Sequence, residues 1–394
     1  MFSPPTAAAS KHPAPLPYGR QSIDESDIAA VVEVLRTDWL TCGPAVDWFE
    51  EALAAACGAR QAVAVCNGTA ALHLAMRAAG VGPGDRVLTS ANTFLASANA
   101  AEYVGAAADF ADIDPETRCV SVETLRAAWK PDVKAVVAVD YAGFPCVTEE
   151  MADFIHSRGA RVVEDACHAI GGQLDGHTVG GLPWVDMTVF SFHPVKTMTT
   201  GEGGAILTNE AKWADSCRLN RHHGMARAPA GADPSAPPYT MEFPGYNYRI
   251  TDFQCALGLS QLGRLEGFVA RRGEIVDRYN RAFGGMPHVR IPKAPAGGRV
   301  AWHLYALQID FQRLGRTRAE VMGELRARGV GTQIHYYPVH LQPYYAKRYG
   351  YGPGKCPVAE AWHEQTLSLP LYPGLTEGDV DRVVEAVGQV IGGR

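Results

Sequence analysis

Between residues 62 and 208, short apolar runs alternate with stretches of helical periodicity, and this alternation restricts the fold more than any other feature of the chain. Strand-length runs lie at 62–66, 86–90, 107–112, 134–140, 161–164, 187–192 and 205–208, with helices expected at 70–79, 93–104, 122–129 and 149–158. Apolar strands separated by helices form a mostly parallel sheet covered on both faces. The expected fold class is α/β, with a large sheet domain over 18–262. Ligands of such sheets bind beyond the carboxyl ends of the strands.

The flanks read differently. Residues 1–17 are rich in Pro and Ala and are expected to form a disordered tail. Ser22 and Glu25 read as a capping box for a helix that carries Ile28, Val31, Val32 and Leu35. The stretch 225–244 has many Gly, Pro and Ala and no apolar period, which predicts a long functional loop. From 263 to 394 the pattern becomes α+β, with strands expected at 302–309 and 331–336 and helices at 318–328, 360–366 and 377–391. A smaller C-terminal domain is expected there.

Composition excludes several function classes. A net charge of -6 gives no reason to expect nucleic acid or an anionic membrane surface as a partner. No apolar run is long enough to span a membrane. The nine cysteines include no C-x-x-C pair and read as buried thiols of a reducing compartment, so a cytoplasmic location is expected. The histidines at 222–223 and at 335 and 340 lack paired acids at a ligand spacing, and no metal is expected. There is no G-x-S-x-G, no G-x-x-x-x-G-K-[ST], and no G-x-G-x-x-G after the first strand, which excludes a dinucleotide-binding dehydrogenase.

Four features carry chemistry. Of eight lysines, Lys196 alone stands between a core strand and a glycine-rich turn, in FSFHPVKTMTTGEGG. Desolvation there would lower its pKa and make it a nucleophile; a lysine capping the strand and reaching solvent is the competing reading. Asn67-Gly68-Thr69 turns from a strand into a helix, whose free N–H groups make an anion site, or else a capped turn. Asp165 follows a strand end, facing the crevice or capping the next helix. Phe94 opens a helix after a strand, able to stack on a flat ring or to pack in the core. Together, a phosphate turn, a ring cover, a carboxylate for a cationic ring nitrogen and a nucleophilic lysine are the attachment points of pyridoxal phosphate.

With these residues in place, the sequence resembles the DegT-type sugar aminotransferases, a branch of the aspartate aminotransferase superfamily with the fold type I architecture. The likeness is carried by WLTCGPAVDWFE (39–50), NGTAALHLA (67–75), TFLASANA (93–100), EDACHAIGG (164–172), SFHPVKTMTTGEGGAILTN (191–209) and GYNYRITDFQCALGLSQL (245–262). It continues through GVGTQIHYYPVHLQPYY and LSLPLYPGLTEGDV. Within the family the chain is most similar to enzymes that aminate C4 of a UDP-linked 4-keto-6-deoxy-N-acetylhexosamine on the way to pseudaminic acid.

The resemblance implies roles residue by residue. Lys196 corresponds to the lysine that holds the cofactor, pyridoxal 5'-phosphate. Asp165 corresponds to the acid paired with the pyridine nitrogen, Phe94 to the residue stacked on the ring, and His168 to its neighbour near the ring hydroxyl. Gly68, Thr69 and Ser191 correspond to phosphate ligands. Asn247 corresponds to a residue reaching the phosphate from the other subunit, which implies a homodimer with shared sites. His193, His222, Arg249, Tyr336 and His340 are candidates, by motif position, for holding a nucleotide sugar, with a structural role as the alternative for each. Glutamate is the implied amino donor. Members that carry histidine in place of the lysine eliminate water instead; the lysine at 196 favours transamination over a dehydratase or lyase, and over a non-catalytic homologue.

Overall fold

The structure, a computed structural model, describes residues 14–228, 233, 235, 237–294 and 297–392. Seven strands form the central sheet: β1 (Gln61–Val65), β2 (Arg86–Ser90), β3 (Ala107–Ala111), β4 (Val133–Val139), β5 (Arg161–Asp165), β6 (Met187–Ser191) and β7 (Gly204–Thr208). Their order is β1-β7-β6-β5-β4-β2-β3. All run in one direction except β7, which pairs antiparallel with β6 and with β1. The exception has a local cause. Parallel neighbours need a long crossover, whereas the segment joining β6 to β7 is a compact turn that brings Ser191 opposite Gly204. Lys196 lies in that turn.

Helices cover the sheet on both faces: α1 (Glu25–Leu35), α2 (Pro44–Cys57), α3 (Gly68–Ala78), α4 (Leu95–Tyr103), α5 (Val122–Ala128), α6 (Glu149–His156), α7 (Ala211–Arg221) and α8 (Asp252–Leu262). The start of α1 differs from expectation. Its N-cap is Asp24, whose carboxylate accepts from Ser26 N–H at 2.9 Å, while Asp27 accepts from Asp24 N–H at 3.0 Å. Asp27 is buried and paired with Arg264 and Gln261, so a tertiary contact, absent from any local motif, sets where the helix begins. The stretch 225–244 is not a plain loop: Met225–Arg227 pairs with Tyr239–Met241 as a hairpin, and 229–232, 234 and 236 lie outside the described residues.

The long helix α9 (Leu265–Phe283) leads into a second unit. There β8 (Val289–Arg290), β9 (Tyr305–Ile309) and β10 (Thr366–Leu369) form an antiparallel sheet, with α10 (Arg318–Ala327), α11 (Pro343–Tyr349), α12 (Pro357–Gln365) and α13 (Glu377–Ile391) around it. The fully buried Arg272 of α9 binds this unit by donating to Leu371 O at 2.8 Å and to Trp302 O and His303 O at 3.4 Å. One hydrophobic cluster runs from Val63 in β1 to Val383 in α13. The strand expected at 331–336 reduces to one bridge, Gln333 to Ser368, beyond which the chain leaves the sheet to place His335 and Tyr336 elsewhere. Of the tail expected at 1–17, residues 1–13 lie outside the described residues, while Leu16 is buried and bridged to Val330. Among the described residues no helix is long and apolar enough to cross a membrane.

Candidate active site

A cavity of about 650 Å³ opens at the carboxyl ends of β4, β5 and β6. One corner begins at Asn67, the N-cap of α3, whose side chain accepts from Ala70 N–H at 2.8 Å. Gly68 and Thr69 follow in the first turn, where N–H groups have no acceptor within the helix and the helix dipole is positive. A Cβ on Gly68 would meet Ser191 Cβ at 2.9 Å, and one on Gly204 would meet the Asn67 carbonyl carbon at 2.6 Å. Glycine at both positions lets the α3 turn close on the β6–β7 strands, bringing Thr69 and Ser191 to one wall of the cavity.

The lysine turn is built by hydrogen bonds back onto β6. Phe192 N–H donates to Gly203 O at 2.8 Å, Thr200 N–H to Phe192 O at 3.0 Å, and Thr199 Oγ1–H to the same oxygen at 2.8 Å. Lys196 N–H donates to His193 O at 2.9 Å. The Lys196 side chain lines the cavity and makes no salt bridge among the described residues. Lost hydration holds its amine below the usual lysine range, with Cys167 and Asp165 working in the opposite direction.

Asp165, buried at the end of β5, faces the same space. Ser97 Oγ–H donates to one carboxylate oxygen at 2.6 Å and Cys167 N–H to the other at 3.3 Å, so the group is oriented from two sides. Ser97, on α4, was invisible in the sequence reading because its partner lies 68 residues away. Phe94, the N-cap of α4, is 57% exposed, which removes the core-packing alternative, and its ring lies 6.4 Å from that of Tyr336.

His168 has a defined tautomer. Ala142 N–H donates to its Nδ1 at 3.3 Å, so Nδ1 is unprotonated and Nε2 carries the hydrogen, facing the Tyr336 hydroxyl at 3.2 Å. Ala142 holds a left-handed φ of 60° to present that N–H. The His303 ring lies 4.3 Å from that of His168. Burial, followed by nearby positive groups, holds His168 and His303 well below 6.5 and His335 down to about 3. His73, near α3's packing face, is held at about 4 by burial and Arg77.

A pH dependence follows. Each of these four histidines has a folded pKa below its unfolded value near 6.5, so the unfolded chain binds protons that the folded chain refuses. Their contribution is present above 6.5 and is lost as pH falls. Glu164, raised to about 7, and Asp140, raised by burial and by Glu164, act in the opposite sense. The histidines outnumber them, and each in excess is worth on the order of 1.4 kcal/mol per pH unit. Urea unfolding should therefore show lower stability at pH 5 than at pH 7; an unchanged or higher value would contradict these assignments.

Of the residues singled out from sequence, the cavity gathers Gly68, Thr69, Phe94, Asp165, His168, Ser191, His193, Lys196 and Tyr336. His340 does not join them. It is fully buried, with Nε2 2.9 Å from Glu360 Oε1 and its ring 6.2 Å from that of Phe110, so its role is structural and the sequence-based assignment to substrate is corrected. His222 and Arg249 lie in a second cavity of about 380 Å³, with Arg218, Arg221 and Arg227. Arg249 Nη1 donates to His222 Nδ1 at 3.0 Å. Asn247, bridged to His222, is exposed and does not line the Lys196 cavity.

The chain is similar to known proteins over almost its whole length. The chain is 42% identical over 381 residues to the spore coat polysaccharide biosynthesis protein SpsC of Bacillus subtilis (strain 168), covering 96% of this chain and 97% of that protein. Among solved structures it resembles Helicobacter pylori PseC, an aminotransferase involved in the biosynthesis of pseudoaminic acid, with a TM-score of 0.89, 28% identity and coverage of 96% and 100%. It also resembles the PLP-form of the putative sugar aminotransferase Spr1654 from Streptococcus pneumoniae, with a TM-score of 0.87, 28% identity and coverage of 95% and 98%. These likenesses extend the expected α/β, fold type I architecture over almost the whole chain. The family description of the DegT/DnrJ/EryC1/StrS aminotransferases matches residues 21–388, and the chain belongs to that family.

Proposed function

We propose that the protein uses pyridoxal 5'-phosphate to move an amino group from L-glutamate to a keto-deoxy sugar carried on a nucleotide, with C4 of a UDP-linked 4-keto-6-deoxy-N-acetylhexosamine as the acceptor. The observation that carries this reading is the convergence of Lys196, Asp165 and the N-terminus of α3 on one cavity. That cavity suits the cofactor. The first turn of α3 offers N–H groups without intrahelical acceptors, Gly68 leaves no side chain in the way, and Asp165 is an oriented carboxylate. Gly68, Thr69 and Ser191 would hold the phosphate, Phe94 the ring face, Asp165 the ring nitrogen and Lys196 the reactive carbon. When bound, the cofactor supplies an electron sink for the charge left as a C–H bond beside nitrogen breaks.

The chain's own groups do the rest. The Asp165 carboxylate would stand against the ring nitrogen and favour its protonated form. The Lys196 amine, its pKa lowered by burial, would take the proton from the donor's α-carbon in the first half-reaction and deliver a proton to the sugar carbon that receives the nitrogen in the second. His168, neutral and with Nε2 protonated, donates towards Tyr336 and leaves the Tyr336 hydrogen free to turn into the cavity.

The nucleotide and the dimer belong to the same proposal. Arg227 and Arg249 make no ion pair among the described residues, and they stand with His222 in a basic cavity suited to a diphosphate. That cavity is separate from Lys196, which supports a homodimer in which His222, Asn247 and Arg249 serve the partner's site. Exposed Trp39, Leu40 and Trp48 are apolar surface that such an interface would cover. On this reading the enzyme works in the cytoplasm. The test is to supply cofactor-loaded protein with L-glutamate and the keto-sugar nucleotide: 2-oxoglutarate and an amino-sugar nucleotide should form together. Formation of 2-oxoglutarate with no amination of any keto-sugar nucleotide would overturn the acceptor assignment.

A further inference from the structure

Tyr18 directly follows the stretch 1–17, whose composition predicts disorder, and the fold fixes it at the cavity. Leu16 N–H donates to Gly329 O and Gly331 N–H to Leu16 O, both at 2.8 Å, and Leu371 N–H donates to Tyr18 O at 3.0 Å. These three bonds strap the segment onto the second unit, with Leu16 buried beneath it. A Cβ on Gly19 would lie 3.6 Å from Val195 Cβ, so the strap passes directly beside the lysine turn. The Tyr18 ring sits half-buried at the cavity wall, 5.3 Å from the His335 ring. Its hydroxyl has no hydrogen-bond partner among the described residues and is not closed off from solvent.

We propose that Tyr18 is a positioning residue for the acceptor sugar, its ring packing against the sugar's C–H face and its hydroxyl bonding a sugar hydroxyl or amide oxygen. The inference rests on the functional reading above and adds a residue to it. The chemistry of the rim selects the sugar over the amino donor. The described residues lining this cavity include the acidic Glu202 and no arginine, so a dicarboxylate gains nothing by lying against Tyr18. A pyranose presents both an apolar face and hydroxyl groups, which an aromatic phenol matches at once. Asp165, held by Ser97, is committed to the cofactor on the functional reading above.

Tyr18→Phe removes the hydroxyl alone, and Tyr18→Ala removes the wall. In the cofactor-loaded enzyme, 2-oxoglutarate release from L-glutamate alone should stay within about twofold of the wild-type rate in both variants. The KM for the UDP-linked keto-sugar should rise about tenfold in Tyr18→Phe, as expected for one lost hydrogen bond, and further in Tyr18→Ala. Thermal midpoints measured alongside report folding. An acceptor KM unchanged in both variants, or equal loss of both half-reactions in folded Tyr18→Phe, would overturn the proposal alone. Wild-type enzyme lacking both half-reactions would remove the functional reading, and this inference with it.

Discussion

Replacing Lys196 by alanine is expected to lower turnover by at least about 10⁴-fold while leaving the fold intact. The proposed reaction asks two things of this amine, attachment of the cofactor and transfer of the α-proton, and Lys196 is the one lysine lining the cavity among the described residues. Of the four histidines lining the cavity, His168, His303 and His335 are held neutral and buried, hydrogen bonds occupy Nδ1 of His168, His335 and the exposed His193, and no imidazole can form the imine that a lysine amine forms. The fold does not depend on the amine. The turn around it is held by backbone groups and by Thr199, and Lys196 forms no ion pair whose loss would cost stability. Lys196→Arg should be equally inactive, because a guanidinium stays protonated and cannot act as nucleophile or base. Steady-state rates, with circular dichroism and thermal unfolding as controls, check both variants; activity near wild type in either would remove Lys196 from the chemistry.

Asp165→Asn is expected to cost about 10²–10³-fold in turnover, with weaker retention of the cofactor through dialysis. The substitution keeps size and shape; the amide oxygen can still accept from Cys167 N–H, and the NH2 that replaces the other oxygen can donate to Ser97 Oγ. What is lost is the carboxylate that, on the proposed reading, would favour a protonated ring nitrogen. Withdrawal of electrons into the ring, and with it the acidity of the donor's α-carbon, depends on that proton. Ser97→Ala should show a smaller defect of the same kind, since it removes one orienting bond and leaves the charge. Wild-type rates in Asp165→Asn would show that the carboxylate only orients the loop after β5.

How much of this was legible in advance depends on the sequence distance over which each residue's position is decided. Lys196, Gly68, Thr69, Ser191 and Asp165 each sit at a strand end or a strand–turn–helix junction, and short-range patterns mark those places. The same patterns located all seven strands of the sheet. Phe94 was undecidable locally, because stacking and core burial use the same ring; its exposure follows from where α4 ends up. Tyr18 was hidden by the composition of its own flank, and the groups that hold its segment, Gly329 and Gly331 on Leu16 and Leu371 on Tyr18 itself, lie more than 300 residues away. His340 looked like part of a motif with His335, but a Glu 20 residues further on and a phenylalanine from β3 claim it for the core. β10 escaped notice for a similar reason. Its four residues pair with Tyr305–Gln308 across a long chain separation, and a strand that short carries almost no periodic signal.

The most direct measurement is release of 2-oxoglutarate from cofactor-loaded protein given L-glutamate and no acceptor. Transamination through Lys196 predicts about one equivalent per active site and then arrest, since the second half-reaction lacks its substrate, and none from Lys196→Ala. Absence of 2-oxoglutarate from the loaded wild-type protein, or its continuous release without a keto-sugar, would contradict the account.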